Sequence, residues 1–339
     1  MRTVTIQDVA RLAGVSTATV SRAVATPDRV TAATREAVFS AIRATGYTPN
    51  AAARSLRAKS ARMVLVVLPG IGNDFFTPVL KALEEVFSRQ GYGVLIGYSR
   101  QRQGEASPYG RILRAGQVDG VLFITGAAPV DKAFFDVPHG VPITMMFSGL
   151  PGEERFSVFD ADNRTAAAMA VGHLIGRGHR RIAHIAGPQH SLESVERLRG
   201  YREALMAAGL AIDETLIWHG AEDYDFLAGA RAATAYFALH RRPTAVFAAA
   251  DEIAVGFLRS LKNGGVSAPA DISIVGFDDT KLAAHYDPAL TTMHQPREEM
   301  GRLAAEDLIL RMLAKDAPPP ARRRLPCTLV IRESVLTLG

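Results

Sequence analysis

Residues 5–24, TIQDVARLAGVSTATVSRAV, decide how this chain is read, because nearly every position has a task in two short helices joined by a tight turn. Thr5 caps the first helix with Asp8 at the third helical position, an acidic form of the capping box. Ile6, Val9, Ala10 and Ala13 recur at i, i+3, i+4 and i+7 and make one buried stripe. Gly14 supplies the left-handed backbone that ends this helix. Ser16 caps a second helix, and Val15 before it staples onto Val20 inside. There Val20, Ala23 and Val24 share one arc, while Thr17, Ala18, Ser21 and Arg22 share the opposite arc, free to meet the edges of bases.

Any helical hairpin in a small bundle shows caps and a stripe, so charge has to separate the two readings. Residues 1–60 hold nine basic residues (Arg2, Arg11, Arg22, Arg29, Arg35, Arg43, Arg54, Arg57, Lys59) and three acids (Asp8, Asp28, Glu36), a balance of +6. The whole chain carries +5, which leaves −1 on the other 279 residues. The excess positive charge therefore sits on the helix-turn-helix segment, as neutralising DNA phosphates requires.

At 339 residues the chain suits a small head and a large body. Its composition, 48% apolar, is that of a globular protein, and no apolar run is long enough to span a bilayer. Residues 6–24 read as a polar-faced helix pair rather than an export signal. Cys327 is the only cysteine, which excludes an internal disulfide and a cysteine-based metal cluster and fits a reducing cytoplasm. Thr31 opens a third helix with Val38, Ala41 and Ile42 facing inward, and Gly46 closes it. Residues 1–46 thus read as a helix-turn-helix domain. Residues 47–61 read as a hinge: Asn50 caps AAARSLRAK, a segment too short to be a stable helix alone, so it orders only against a partner. An ordinary linker is the other reading of that segment.

From Arg62 onward, strand-like runs alternate with amphipathic stretches: 63–69, a helix near 77–90, 94–98, a helix near 105–115, 120–124 and 142–147. The cycle repeats with 181–187, 195–209, 244–251, a helix to Gly264, and 272–279. This alternation implies mostly parallel, doubly wound sheets, and its length implies two similar α/β subdomains. PPPARRR at 318–324 reads as an exposed connection. Gly70-Ile71-Gly72 follows a strand and imitates a dinucleotide fingerprint, but Phe75 occupies the third glycine position and blocks the close packing that motif needs. Among the histidines, His179, His184 and His294 read as surface or core-edge residues rather than ligands, and neither a metal nor a cofactor is expected.

TIQDVARLAGVSTATVSRAV, TGYTPNAAARSLR (45–57), GHRRIAHIAGP (178–188), RLRGY (197–201), VGFDD (275–279) and LTTMHQPREEMG (290–301) together resemble the LacI/GalR family of bacterial transcription regulators. STATVSRA, Phe75-Phe76 and TTMHQPR are most similar to its purine and cytidine repressor branch. The resemblance implies an all-α head with a hinge helix and a periplasmic-binding-protein-like α/β core over 62–339. Its N-subdomain would cover about 62–160 and 293–324, and its C-subdomain about 161–292 and 325–339. The implied partners are a palindromic double-stranded DNA operator, a sugar or nucleoside effector between the subdomains, and a second copy in a homodimer. The chain ends without a heptad tail, which favours a dimer over a tetramer.

The resemblance places Thr5, Ser16, Thr17, Ala18, Thr19, Ser21 and Arg22 of the head, and Asn50, Arg54 and Leu56 of the hinge, against DNA. Arg22 suits guanine O6 and N7, Ala18 suits a thymine methyl, Thr5, Thr19 and Asn50 suit phosphates, and Leu56 matches a minor-groove wedge. It places Phe75, Phe76, Asp162, Arg197, Tyr224, Asp251 and Asp278 around the effector. Each has a structural alternative: the phenylalanines as core, Asp162 and Asp278 as helix caps, Arg197 paired with Glu193 or Glu196. Ala250 departs from the family by offering no polar group. Arg100 and Arg102 suggest either an acidic effector or a solvated loop. The function these readings imply is a ligand-controlled, non-catalytic repressor. A solute-binding protein or a sugar- or nucleoside-processing enzyme on the same core are the alternatives.

Overall fold

In a computed structural model, the structure describes residues 4–48, 60–70, 72–99, 109–126, 141–148, 154–219, 222–316 and 318–338. The chain divides into two compact units, Met1–Ala61 and Arg62–Gly339. Asn50, Arg54 and Leu56 of the hinge, and Arg100 and Arg102, lie outside the described residues.

In the first unit three helices, α1 (Ile6–Ala13), α2 (Thr17–Ala25) and α3 (Ala32–Thr45), pack around Val9, Ala10, Val20, Ala23, Val38 and Ala41. The local signals hold. Thr5 donates its backbone N–H (3.0 Å) and its hydroxyl (2.8 Å) to the Asp8 carboxylate. Gly14 takes φ 65°, which a residue with a Cβ adopts only at a cost, and so turns the chain sharply into α2. Ser16 and Thr31 accept from the backbone N–H groups of Thr19 and Thr34, at 3.1 and 3.3 Å.

The second unit holds two six-stranded sheets. The first runs β11-β5-β4-β3-β1-β2, built from β1 (Met63–Leu68), β2 (Gly93–Tyr98), β3 (Gly120–Ile124), β4 (Ile143–Met146), β5 (Ser157–Ala161) and β11 (Arg322–Leu325), and all its neighbours are parallel. The second runs β12-β10-β9-β8-β6-β7, from β6 (Ile182–Ile185), β7 (Ile217–Trp218), β8 (Ala245–Ala248), β9 (Ser273–Asp278), β10 (Thr291–His294) and β12 (Thr328–Val330). Only β12 runs antiparallel there. Strands β1, β3, β4, β6, β8 and β9 are buried along nearly their whole length, which is why they read as continuous apolar runs without alternation.

The chain passes between the sheets after β5, after β10 and between β11 and β12. Helices α4 (Thr77–Arg89) and α11 (Arg297–Leu313) pack together over the first sheet. Helices α6 (Asn163–Gly176) and α7 (Leu192–Ala207) pair in the second half, as do α8 (Phe226–Ala238) and α9 (Asp251–Asn263). The α8–α9 approach depends on Gly256, where an added Cβ would lie 2.0 Å from the Phe226 carbonyl oxygen.

Two expectations need correction. The last three residues of PPPARRR, with Leu325, form an edge strand (Arg322–Leu325) rather than a free connection, because β11 pairs with β5 and the Ala321 N–H donates to Ser157 Oγ at 2.9 Å. His179 and His184 are fully buried. His184 stacks between Tyr201 and Phe247 and bonds the Phe247 carbonyl at 3.0 Å, and burial lowers its pKa to about 4. No cluster of metal-ligating residues occurs among the described residues.

Candidate ligand cleft and nucleic-acid interface

On α2, Thr17, Ala18 and Arg22 are exposed and Ser21 is half-buried, while Val20 and Ala23 form the inner arc. The three acids of the head are all taken. Asp8 pairs with Arg11 (3.4 Å), Asp28 with Arg35 (3.9 Å) and Glu36 with Arg43 (2.9 Å). Arg22 and Arg29 have no acidic partner among the described residues. Thr19 and Ser16 share a hydroxyl bond at 2.9 Å, so their first task is the cap.

In the core, the carboxyl ends of the strands surround a cavity of about 220 Å³, where open α/β sheets bind ligands. One wall is aromatic. Asn73 accepts from the Phe75 N–H at 2.8 Å and holds a short 3-10 turn, Asp74–Phe76, that points Phe75 and Phe76 inward. Phe147, at φ 72° just past β4, completes the wall, its ring centroid 5.1 Å from Phe75 and 6.2 Å from Phe76. The other wall is polar: Glu193 and Arg197 from α7, Asp223 and Tyr224 before α8, Glu252 in the first turn of α9, Asp278 at the end of β9 and Thr280 after it.

Of the expected effector residues, Phe75, Phe76, Arg197, Tyr224 and Asp278 line this cavity, whereas Asp162 and Asp251 do not. Asp162 caps α6, accepting from the Thr165 N–H at 3.2 Å. Asp251 is fully buried behind the wall, where it accepts from the Thr280 N–H (2.8 Å), the Thr280 hydroxyl (3.1 Å) and the Thr292 hydroxyl (2.6 Å). It braces β9 and β10 from within.

Arg197 pairs with neither Glu193 nor Glu196. Its Nε donates to Asn163 Oδ1 at 2.8 Å, its Nη1 donates to the Ala249 carbonyl, and its guanidinium lies 3.8 Å from the Phe277 ring centroid. Glu196 pairs instead with Arg199, and Glu193 accepts from the hydroxyls of Ser191 (2.6 Å) and Ser148 (2.9 Å). The Tyr224 hydroxyl bonds Ser191 at 2.7 Å, and burial raises its pKa.

Sequence reasoning missed Glu193, Asp223 and Glu252. Both glutamates sit in the first turn of a helix, where an acid is already explained by the helix dipole. The available signal was their place just past a strand's carboxyl end. Burial, then the charges of Asp278, Asp223 and Asp225, push Glu252 up to about 7. Burial also raises Asp251 and Asp278, and the Asp278 charge adds to the shift on Asp251. Asp278 has φ 114° and Asp279 φ 53°, so two consecutive non-glycine residues are strained at the cleft.

A clamp crosses the cleft. Arg297, at the start of α11, donates to the Phe75 carbonyl (3.2 Å) on one side and the Asp279 carbonyl (2.9 Å) on the other. Arg332 and His294 hold the Asp279 carboxylate, at 2.6 and 3.0 Å. Lys281 and Asp74 add a wider contact across the opening, at 3.9 Å.

The same chain matches known proteins over nearly its whole length. Residues 5–50 match the family described as bacterial regulatory proteins, lacI family, and residues 171–335 match a periplasmic binding protein-like domain. The HTH-type transcriptional repressor CytR of Escherichia coli strain K12 is 37% identical over 334 residues, covering 98% of this chain and 97% of the relative. The HTH-type transcriptional regulator CelR of Thermobifida fusca is 38% identical over 348 residues, covering 97% and 98%. Among solved structures, the lac repressor dimer bound to operator and the anti-inducer ONPF superposes with a TM-score of 0.86 at 27% identity, covering 99% of this chain and 100% of that one. A CelR–cellobiose complex gives 0.75 at 36%, covering 98% and 99%. The chain belongs to the lacI family of bacterial regulatory proteins and is a DNA-binding transcriptional regulator with a two-subdomain, periplasmic-binding-protein-like core.

Proposed function

We propose that this regulator is a repressor whose affinity for a palindromic operator is set by a small hydroxylated molecule in the cleft described above. The observation that carries the reading is Arg22, exposed on α2 without an acidic partner among the described residues while every acid of the head is paired. A guanidinium left in this state suits the two acceptors of a guanine edge. Thr17, Ala18 and Ser21 read neighbouring bases; Thr5, Ser16, Thr19, Asn50 and Arg54 fix the register on phosphates, and Leu56 wedges the minor groove. The relatives support the repressor and effector roles: CytR is named a repressor, CelR is found with cellobiose, and the lac repressor is found as a dimer on operator. In this reading the chain divides into a head (1–46), a hinge (47–61) and a core (62–339), and the break between Ala61 and Arg62 supports the last of these boundaries. The protein acts as a homodimer in the cytoplasm, where its DNA is.

In this reading the cleft binds rather than catalyses, which the names of the relatives as repressor and regulator support. The test is selection of bound sequences from random duplex DNA by the full chain, followed by titration of the selected duplex with and without candidate sugars and nucleosides. A two-fold symmetric site whose affinity shifts with a ligand is the expected result. An unsymmetric or unenriched pool counts against the operator reading.

A further inference from the structure

The described lining of the cleft carries four carboxylates, Glu193, Asp223, Glu252 and Asp278, against one cationic side chain, Arg197. That cation is committed to Asn163, to the Ala249 carbonyl and to the face of Phe277. Two of the acids have capacity to spare. Glu252 makes no hydrogen bond among the described residues, and the charges that act on it are those of Asp278, Asp223 and Asp225, all acids. Asp278 is nine-tenths buried and lines the cavity; it accepts from Gln295 on Oδ1 (2.6 Å), and Oδ2 has no donor among the described residues. The opposite wall offers the rings of Phe75, Phe76 and Phe147. Arg197 and Arg297 offset part of the cost at Asp278, and Arg297 lies 5.1 Å from the Phe75 ring centroid, whereas the charges acting on Glu252 are all acids. Carboxylates partly buried together destabilise one another, and aromatic faces attract positive charge. A neutral hydroxyl donates a hydrogen bond but leaves that repulsion in place, and an anion adds to it.

We infer that the ligand of this cleft is a small hydroxylated amine, bound as its ammonium cation between Glu252, Asp278 and the aromatic wall. The inference rests on the cleft's being the effector site and adds the charge of the effector to that reading. It also gives Glu252 a partner, since the ammonium supplies a donor that the described residues do not. Arg197 then positions Asn163 and Ala249 and is not the ligand's counter-ion.

Matched probes test this on the full-length protein by calorimetric titration and thermal shift: glucosamine against glucose, N-acetylglucosamine and glucuronic acid, and 5′-amino-5′-deoxyadenosine against adenosine. The amine of at least one set should bind about tenfold or more tightly than its neutral partner, the range expected when a neutral hydrogen bond becomes charge-assisted. Glu252→Gln, which removes a charge but no hydrogen bond seen among the described residues, should bring the affinity ratio of amine to neutral partner to within about threefold of one. Equal or tighter binding of the neutral, acetylated or acidic probes overturns the inference and leaves the effector site standing. An amine preference that survives Glu252→Gln overturns it too. Binding of none of the probes overturns both the inference and the reading of the cleft as a sugar or nucleoside site.

Discussion

In the head, Asp8, Asp28 and Glu36 are each taken up by an arginine, and Arg22 and Arg29 have no acidic partner among the described residues; the described lining of the cleft carries four carboxylates and one cationic side chain, Arg197, with Arg297 acting on Asp278 from the clamp. Elsewhere on the core, charges are balanced locally, as in Arg181–Asp213 (2.7 Å) and Arg202–Glu214 (2.8 Å). Such partly exposed pairs contribute roughly 0–1 kcal/mol each and say little about function. The two imbalances are more informative because they have opposite sign and occur where a ligand has to be met. A surplus cation on an exposed helix arc stays in water until phosphate or a base edge replaces that water. A surplus carboxylate in a cavity is already partly desolvated, so its cost appears as a raised pKa.

The largest test separates bracing from binding. Asp251→Ala removes the acceptor of three donors at once and should destabilise the core by about 2–4 kcal/mol in urea unfolding, whether or not ligand is present. If stability is unchanged and only effector response is lost, Asp251 belongs in the cleft with Asp278. Next comes the head, where Arg22→Ala should cost about 1–3 kcal/mol of operator affinity per lost base contact, with relaxed preference at one symmetric pair of positions and unchanged core unfolding. Equal losses on selected and random DNA would make Arg22 a phosphate contact.

The clamp is the third test. Arg297→Lys keeps the charge but loses the planar fork that reaches the Phe75 and Asp279 carbonyls together, so effector affinity should fall by about five- to tenfold, roughly 1–1.4 kcal/mol. Unchanged affinity would mean that the cleft is held by other contacts.

The smallest effect is in the pH dependence. Glu252 is raised in the folded state, so its contribution to stability is greatest below its unfolded value of 4.5 and is lost as pH rises towards about 7. His184, lowered to about 4, acts in the opposite sense below about pH 6.5, so the informative quantity is the difference between variant and parent. Glu252→Gln should flatten the decline in unfolding temperature between about pH 5 and 8 relative to the parent protein. Parallel curves would place Glu252 in water and weaken the contrast with the head.

Caps, stripes and turns were legible in the sequence because each depends on residues within five positions of one another: Thr5 with Asp8, Gly14, Ser16 with Thr19, Val15 with Val20. The buried strands were legible for a related reason, since six or so apolar residues in a row have few other uses. The edge strand Arg322–Leu325 was not, because its stability comes from β5, more than a hundred and fifty positions away, through Ala321 and Ser157. Asp162 and Asp251 show the same limit at the site. Both residues stand beside a strand end, and whether such a carboxylate faces a ligand, caps a helix or braces two strands depends on where Thr165, Thr280 and Thr292 come to lie.

By itself, then, the sequence determined that a basic helix-turn-helix head precedes a core of two parallel-sheet subdomains, because periodicity, capping and charge balance are properties of neighbouring residues. Only the tertiary structure decided which acids enter the cleft, that Arg197 supports its wall, and that Arg297 joins Phe75 to Asp279. Those outcomes are set by three passages of the chain between the sheets, which bring together side chains up to 222 positions apart and determine which of them share a desolvated space.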